Sequence, residues 1–210
     1  MPTCRQLGLG NIIPIKGIPP SDNPLANYGK MAEMSAGKDS TTGHWEIGGL
    51  VSSRPFPVFP GGFPAELVSE IEQKAGVKTI GNIPASGTEI IKELGKRHLE
   101  SGELILYTSA DSVFQLAAHE EMVPLERLYE ICEIARELLA NEFAVARVIA
   151  RPFIGQPGNF TRTAGRRDFS LAPPSDTLPA VMLKAGLKTL AIGKIYDLFA
   201  QRGFDKKVKT

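Results

Sequence analysis

Three hydroxyl side chains lie side by side in the segment GKDSTTGHWE, which spans residues 37–46. Ser40, Thr41 and Thr42 follow a lysine and Asp39, and two glycines leave the backbone free to turn sharply and to approach a ligand. An exposed hydroxyl at the start of a helix could accept a phosphoryl group, provided that a metal ion or a base activates it. An ordinary turn or helix cap would use the same residue types. The segment is not a P-loop, because the order G-x-x-x-x-G-K-[ST] is absent.

Arginine is concentrated in a second segment, residues 146–167. The five arginines of this segment are Arg147, Arg151, Arg162, Arg166 and Arg167. Guanidinium is the planar, bidentate donor that suits phosphate oxygens, and the glycines of the segment would let it fold as a loop that points these groups toward one ligand. Any single arginine could instead lie along apolar surface or pair with a surface carboxylate. The cluster therefore indicates a sugar-phosphate site.

Small and polar residues end an apolar strand in the segment YTSADSV, residues 107–113. Folds of the α/β class expose ligand-contacting groups at such strand ends. The same residues are also typical of a capped turn from a strand into a helix, with Asp111 or Ser112 as the N-cap. This segment is a second candidate for ligand contacts.

The pattern of apolar residues divides the chain into three regions. Residues 1–54 are rich in Gly, Pro, Ser and Asn and predict loops around short elements. Residues 55–172 alternate between helical and strand patterns, and residues 173–210 add one helix, one strand and a basic tail, KKVKT, interpreted as a solvated end. The predicted helices cover about 64–75, 88–100, 123–140 and 176–185, and the predicted strands cover 78–80, 103–107, 147–150 and 189–192.

Composition sets the class of protein. The 210 residues include 42% hydrophobic ones, which is enough for a substantial core in one or two domains, and the net charge is +1. This charge gives no general argument for nucleic acid or an anionic membrane as a partner, and nothing in the sequence indicates a protein partner. No apolar stretch reaches the length of a membrane span, and no signal peptide is recognisable, so the sequence predicts a cytoplasmic protein without membrane contact.

Histidine and cysteine are too few to predict a metal cluster or a disulfide framework. His44 could polarise the reacting group or pack beside the neighbouring tryptophan. His98 is predicted on an exposed helical face, and both His98 and His119 are interpreted as structural or solvated. Cys132 falls on the apolar stripe of a helix and is predicted to be buried, far in sequence from Cys4.

Longer motifs resemble one known family. The stretch KMAEMSAGKDSTTGHWEIGGL closely resembles the nucleophile segment of phosphopentomutases, which are metal-dependent enzymes of the alkaline phosphatase superfamily. Further similar stretches are LGLGNI, FPVFPGGFP, IGNIPASGTEI, LYTSADSVFQLAAHEEMVPLERLYEICEIAREL, VIARPFIGQPGNFTRT and AIGKI. The resemblance therefore covers almost the whole chain.

The resemblance implies an α/β fold in which a partial alkaline-phosphatase-like core flanks an inserted α+β cap domain. Residues 1–54 would be core with the nucleophile loop, residues 55–172 the cap, and residues 173–210 core again. Family members are about twice as long, and most of their aspartate and histidine metal ligands lie outside the matching stretch. The resemblance thus implies two Mn²⁺ ions. Of the ligands of these ions, the sequence contains only Ser40, so the resemblance implies an incomplete enzyme.

The resemblance also implies roles for individual residues. Ser40 would be the nucleophile, at a position where threonine is typical, and Asp39 and Asp111 would be catalytic, with Asp111 orienting a ribose hydroxyl or the phosphate-bearing carbon. Arg147 and Arg162 would hold the distal phosphate, whereas the other three arginines receive no role. The implied walls and rim of the sugar site are Ser109, Val113, Ile149 and Lys194.

Three other positions depart from the family pattern. Ile83 stands where lysine is usual, and Arg167 and Phe169 replace a usual histidine and tyrosine. These departures predict altered contacts at the periphery of the ligand site.

The activity implied by the resemblance is interconversion of (deoxy)ribose 1-phosphate and (deoxy)ribose 5-phosphate. A phosphorylated enzyme would donate its phosphoryl group to the sugar phosphate, giving a bisphosphate, and would be rephosphorylated from the other end. Two alternatives remain open at this point. One is another metal-dependent phosphomutase or phosphatase of the superfamily, and the other is a cap fragment that binds sugar phosphates without turnover.

Overall fold

The computed structural model describes residues 1–208, which divide into two compact units, residues 1–34 and residues 35–208. The first unit contains a short helix, α1 (Pro2–Gln6), and a 3-10 turn, Leu9–Asn11. The side chain of Asn11 holds its loops, since its amide donates to the Ser21 carbonyl at 2.8 Å and its oxygen accepts from the Ser21 N–H at 2.7 Å. For this unit the predicted loops around short elements are confirmed.

The second unit contains the remaining helices and strands. In chain order they are α2 (Ser40–Ile47), α3 (Ala65–Ala75), β1 (Thr79–Pro84), α4 (Gly87–Ser101), β2 (Leu104–Thr108), β3 (Val113–His119), α5 (Leu125–Leu138), a 3-10 turn (Asn141–Phe143), β4 (Arg147–Gln156), β5 (Asn159–Arg162), β6 (Arg167–Ser170), α6 (Leu178–Lys184), β7 (Leu190–Ile192), α7 (Ile195–Leu198) and β8 (Lys206–Val208).

Six strands form one mixed sheet in the order β1-β2-β3-β4-β5, and β6 pairs with the same edge of β4 as β5 does. β1 with β2 and β3 with β4 are parallel, whereas β2 with β3 and β4 with β5 and β6 are antiparallel. β2 and β3 are buried along their whole length, which explains their nearly continuous apolar sequences.

Helices cover the two faces of this sheet. On one face, α3 and α5 pack on the even-numbered residues of β2, among them Leu104 and Leu106. On the other face, α4 packs on Ile105 and Tyr107 of the same strand. The alternation follows from the two-residue period of a strand. Cys132 lies in the first core and is fully buried, so its predicted burial is confirmed, and burial raises the pKa of its thiol.

All four predicted helices and all four predicted strands are present, with shifted ends. Two interpretations of connecting segments are wrong. Residues 107–113 do not turn into a helix, because they join the antiparallel strands β2 and β3. The arginine segment is not a loop, since it forms β4, β5 and β6, with Gly155 and Gly158 at positive φ where β4 turns into β5.

β7 and β8 form a separate two-stranded parallel sheet. Leu190, Ile192 and Val208 of these strands are each about half exposed, whereas parallel sheets are normally covered on both faces. Residues 206–208 of the basic tail are exposed in β8, and its last two residues lie outside the described part of the chain. No helix within residues 1–208 combines the length and the apolar character needed to cross a bilayer.

The α/β class is thus confirmed for the described chain. The alkaline-phosphatase-like core, the cap domain and the domain limits at residues 54 and 172 stay predictions.

Candidate active site

The candidate nucleophile segment begins a helix. Asp39 is the N-cap of α2, and one of its carboxylate oxygens accepts hydrogen bonds from the backbone N–H groups of Thr41 and Thr42 at 2.9 and 3.1 Å. Its other oxygen accepts from the Thr42 hydroxyl at 2.6 Å. The N–H groups of the first turn have no acceptor within the helix, and these bonds satisfy two of them. Both carboxylate oxygens of Asp39 are therefore engaged in capping.

Burial separates the three neighbouring hydroxyls. Ser40, the first residue of α2, is exposed, whereas Thr41 and Thr42 are 0% and 1% exposed. The Thr42 hydroxyl is occupied by the cap, and the Thr41 hydroxyl is buried without a hydrogen-bond partner. Of the three, Ser40 alone presents its oxygen to an incoming ligand.

His44 and Trp45 fix the orientation of this helix. The His44 ring donates through Nδ1 to the Ser40 carbonyl at 2.6 Å, since a carbonyl can only accept. The Trp45 indole donates to the Leu198 carbonyl at 3.0 Å and packs edge-on against Phe56 at 5.5 Å between ring centroids. The second half of α2 is thereby anchored to α7, whose N-cap is the exposed Lys194.

The residues predicted as walls of the sugar site lie in β3, in β4 and in the segment between β2 and β3. Ser109 and Asp111 lie between β2 and β3, where the Asp111 N–H donates to the Ser109 hydroxyl at 3.3 Å. Asp111 is exposed, whereas Val113 and Ile149 are almost fully buried. Val113 is the direct neighbour of Arg147 in the parallel pairing of β3 with β4. Their shared role in a sugar site stays a prediction.

The two arginines assigned to the distal phosphate lie on neighbouring strands, Arg147 at the start of β4 and Arg162 at the end of β5. Arg162 of β5 is paired with Phe153, six residues beyond Arg147, so the two backbones are about 20 Å apart along the strand direction. Arg147 is buried and pairs with Asp168 at 3.1 Å, and its Nε atom has no partner. Asp168 also binds Arg166 at 2.8 Å.

Two arginines that received no role from the sequence lie beside Arg162 in the structure. Arg151, Arg162 and Arg166 line a cavity of about 560 Å³, together with Thr88 of α4 and other residues. Arg151 is half-buried, and this burial lowers the pKa of its guanidinium from the usual value. The signal that points to this cavity is already in the sequence, as five arginines within 21 residues.

His98 is fully buried, so its predicted place on an exposed helical face is wrong. Its Nδ1 donates to the Glu103 carbonyl at 2.7 Å, and its Nε2 accepts from the His119 backbone N–H at 2.9 Å. Burial lowers the pKa of this imidazole, with a smaller contribution from His119 in the same direction. His119 is buried as well and contacts the Gly155 carbonyl at 3.0 Å, which confirms its structural role.

Two of the departures from the family pattern stack on each other. The Arg167 guanidinium lies 4.6 Å from the centroid of the Phe169 ring and 5.2 Å from that of Tyr129. It also approaches Glu133 at 3.7 Å. Arg167 and Phe169 therefore complement one another as a cation-π pair on the edge strand β6.

A complete metal site is not formed within residues 1–208. These residues contain no group of three or more His, Cys, Asp or Glu side chains that could hold a metal ion. Asp39, the carboxylate nearest in sequence to Ser40, is committed to the helix cap. The donor set of the described chain does not fit the implied pair of manganese ions.

The described chain is of the α/β class, with an exposed serine at a helix start and a cavity lined by arginines. No family model matches the chain. Proteins named phosphopentomutase do match it, at 54–60% sequence identity. The predicted resemblance to phosphopentomutases is confirmed.

Three of these relatives illustrate the extent of the match. The chain is 60% identical over 210 residues to phosphopentomutase of Caldanaerobacter subterraneus, covering 100% of this chain and 53% of the relative. It is 57% identical over 208 residues to the enzyme of Acetivibrio thermocellus, covering 99% of this chain and 54% of the relative. It is 60% identical over 203 residues to the enzyme of Dictyoglomus thermophilum, covering 97% of this chain and 52% of the relative. The chain spans about half the length of the curated relatives it matches.

Proposed function

We propose that this chain is the central part of a phosphopentomutase, an isomerase that interconverts (deoxy)ribose 1-phosphate and (deoxy)ribose 5-phosphate. The observation that carries the proposal is the selective exposure of Ser40, within a segment that resembles the family's nucleophile loop. The identity of 54–60% to proteins of that name supports the same activity.

Ser40 is proposed to carry the transferred group as a phosphoserine. The sugar hydroxyl attacks this phosphorus, the bond from phosphorus to the Ser40 oxygen breaks, and a sugar bisphosphate forms. In the net step the proton of the sugar hydroxyl passes to the Ser40 oxygen. The returning step transfers the other phosphoryl group of the bisphosphate to Ser40 and releases the isomeric monophosphate. The positive end of the α2 dipole favours the negative charge of such a phosphoserine.

The sugar is proposed to lie against the segment between β2 and β3. Asp111 is exposed there and can accept a hydrogen bond from a ribose hydroxyl, while the buried Val113 and Ile149 form an apolar floor. Ser109 adds a half-exposed hydroxyl beside Asp111. Arg147 and Arg162 remain proposed phosphate ligands by resemblance, and Lys194 a residue of the rim.

Further polypeptide is proposed to complete the metal site and the core. Residues 1–208 supply no metal cluster, and the exposed Leu190, Ile192 and Val208 of the two-stranded parallel sheet favour additional strands on β7 and β8. Those strands would correspond to the half of the relatives outside the match. Two Mn²⁺ ions, a cytoplasmic location, and a cap formed by residues 55–172 between two parts of the core complete the proposal.

A chimera tests this function. Residues 1–210 replace the matching stretch in phosphopentomutase of Caldanaerobacter subterraneus, to which they are 60% identical. The chimera should interconvert ribose 1-phosphate and ribose 5-phosphate in the presence of Mn²⁺, whereas the 210-residue chain alone should not. A folded chimera without turnover, or robust turnover by the chain alone, would contradict the proposal.

A second candidate function is sugar-phosphate binding without turnover. The observation that favours it is the arginine-lined cavity, which lies wholly within residues 88–166 and includes no part of the nucleophile helix. The same chimera separates the two, because a binding module would leave it inactive.

A further inference from the structure

Ser112 lies where the loop between β2 and β3 returns to the sheet. This residue is 2% exposed, and its hydroxyl bonds to two segments that are distant in sequence. It donates to the carbonyl of Pro57 and accepts from the backbone N–H of Ala146 at 3.3 Å. One buried hydroxyl thus joins the loop to the segment before α3 and to the residue that precedes β4.

The same loop carries Asp111, the residue proposed to contact the sugar. Ser112 follows Asp111 directly, and its carbonyl accepts from the Arg147 N–H at 3.4 Å. At the other side of the loop, the buried Thr108 hydroxyl donates to the Val113 carbonyl at 2.7 Å. The loop is therefore held at both ends by buried hydroxyl groups, whose hydrogen bonds are strong because water does not compete for them.

Pro57 belongs to a proline segment, residues 55–60, with the sequence PFPVFP. Its three prolines each fix one backbone dihedral, so the segment is stiff. The neighbouring Phe56 packs edge-on against Trp45 at 5.5 Å between ring centroids, and Trp45 is a residue of α2. The hydrogen bond from Ser112 to Pro57 therefore connects the loop between β2 and β3 to α2.

This connection joins the two elements that the proposed reaction must bring together. Ser40 begins α2, whereas Asp111 lies in the loop between β2 and β3. Phosphoryl transfer depends on the distance and direction between the phosphoserine and the bound sugar, and a misplacement of about 1 Å can cost about a hundredfold in rate. Whatever fixes these two elements relative to each other therefore affects the rate.

We infer that Ser112 is a positioning residue of the proposed mutase, and that its hydroxyl holds the sugar-contacting loop against α2 through the proline segment. The inference rests on the proposed function for the nature of the reaction. Ser112 is buried, so it acts on the sugar through Asp111 and on the phosphoserine through the contact of Phe56 with Trp45.

Steady-state kinetics of the chimera described above tests the inference. Ser112→Ala should lower kcat about tenfold or more, because the sugar lies out of position for transfer. The KM for ribose 5-phosphate should change less than about threefold, since the groups that bind the sugar are all still present. Thr79→Val is the matched control. It removes a hydroxyl that donates to Glu72 at 2.8 Å at the start of β1, and it should leave kcat within about twofold of the parent chimera.

A second measurement separates positioning from folding. The phosphorylated chimera can pass its phosphoryl group to ribose 5-phosphate or to water, and only the first transfer needs the loop. Ser112→Ala should therefore lower the ratio of transfer to sugar over transfer to water. Phe56→Leu, which weakens the contact with Trp45, should lower the same ratio. The double variant should lose less than the product of the two effects, because both substitutions break one connection.

Melting temperatures verify that each variant is folded. An active parent chimera with an unchanged kcat and an unchanged ratio in folded Ser112→Ala would overturn the inference and leave the proposed function intact, as would equal losses in Thr79→Val. If Ser112→Ala does not fold, Phe56→Leu decides by itself, and an unchanged ratio in that variant overturns the inference. An inactive parent chimera would overturn the proposed function and the positioning role together.

Discussion

The hydroxyl of Thr42 donates a hydrogen bond to the carboxylate of Asp39 at 2.6 Å, across the first turn of α2. This bond closes the helix cap and leaves the Thr42 oxygen without access to a ligand. Ser40 stands outside the cap and is exposed. This bond and the burial of both threonines distinguish hydroxyl groups that the sequence presents as equivalents.

In the chimera described above, phosphate should be found on Ser40. Ser40→Ala should abolish both the phosphoenzyme and mutase turnover, and Ser40→Thr should retain much of the activity, because either side chain supplies a hydroxyl nucleophile. Phosphopeptide mapping by mass spectrometry after incubation with a sugar bisphosphate identifies the modified residue. Phosphate on Thr42, together with an active Ser40→Ala variant, would show that Thr42 and not Ser40 is the nucleophile.

Asp39→Ala should destabilise the chain by about 0.5–2 kcal/mol, because α2 loses the acceptor for two backbone N–H groups. Asp39→Asn is the matched control, since an amide oxygen still caps a helix, and it should lose less. The chain has one tryptophan, Trp45, which is buried in α2, so its fluorescence in urea reports this unfolding. Equal midpoints for the wild type and Asp39→Ala would show that the cap contributes nothing.

Stability should decrease as the pH falls below about 6.5, because the pKa of His98 is lowered in the folded chain from the 6.5 of the free side chain. As the pH falls, the unfolded chain binds the proton first, so protonation favours unfolding. The contribution of His98 is fully present above pH 6.5 and is lost between 6.5 and the folded-state pKa, by at most about 1.4 kcal/mol per pH unit.

Urea midpoints measured from pH 8 to pH 5 detect this loss. His98→Gln removes the titrating group and should flatten the decrease, whatever its effect on stability at pH 8. If the wild type and His98→Gln lose stability in parallel as the pH falls, His98 is not the cause of the loss.

Gly95→Ala should destabilise the chain by about 1–3 kcal/mol, although alanine favours helices, because the added Cβ would meet the Phe160 ring at 2.5 Å. Gly43→Ala is the matched control within α2. Its Cβ would meet no atom within 4 Å, so the helix should gain up to about 1 kcal/mol. Thermal melts of the two variants should shift in opposite directions, and a neutral or stabilising Gly95→Ala would contradict the tight packing of α4 on β5.

Local sequence patterns were sufficient for the helices α3 to α6 and for the strands β1, β2, β4 and β7. The stripe that buries Leu128, Cys132 and Ala135 is read directly from a helical period, because i, i+4 and i+7 positions share one face. β3 was missed since its buried sequence, VFQLAAH, has no alternation, and β6 was missed since its burial depends on its pairing with β4.

The sequence by itself determined the family resemblance, the α/β class and the segment that contains the candidate nucleophile, because these depend on residue type and order along the chain. The tertiary structure decided which of Ser40, Thr41 and Thr42 is exposed, which arginines share a cavity, and that His98 is buried. Exposure and convergence depend on strand register and helix packing between residues far apart in the sequence. The antiparallel turn from β4 to β5 brings Arg162 back toward Arg151, and no local pattern encodes that distance.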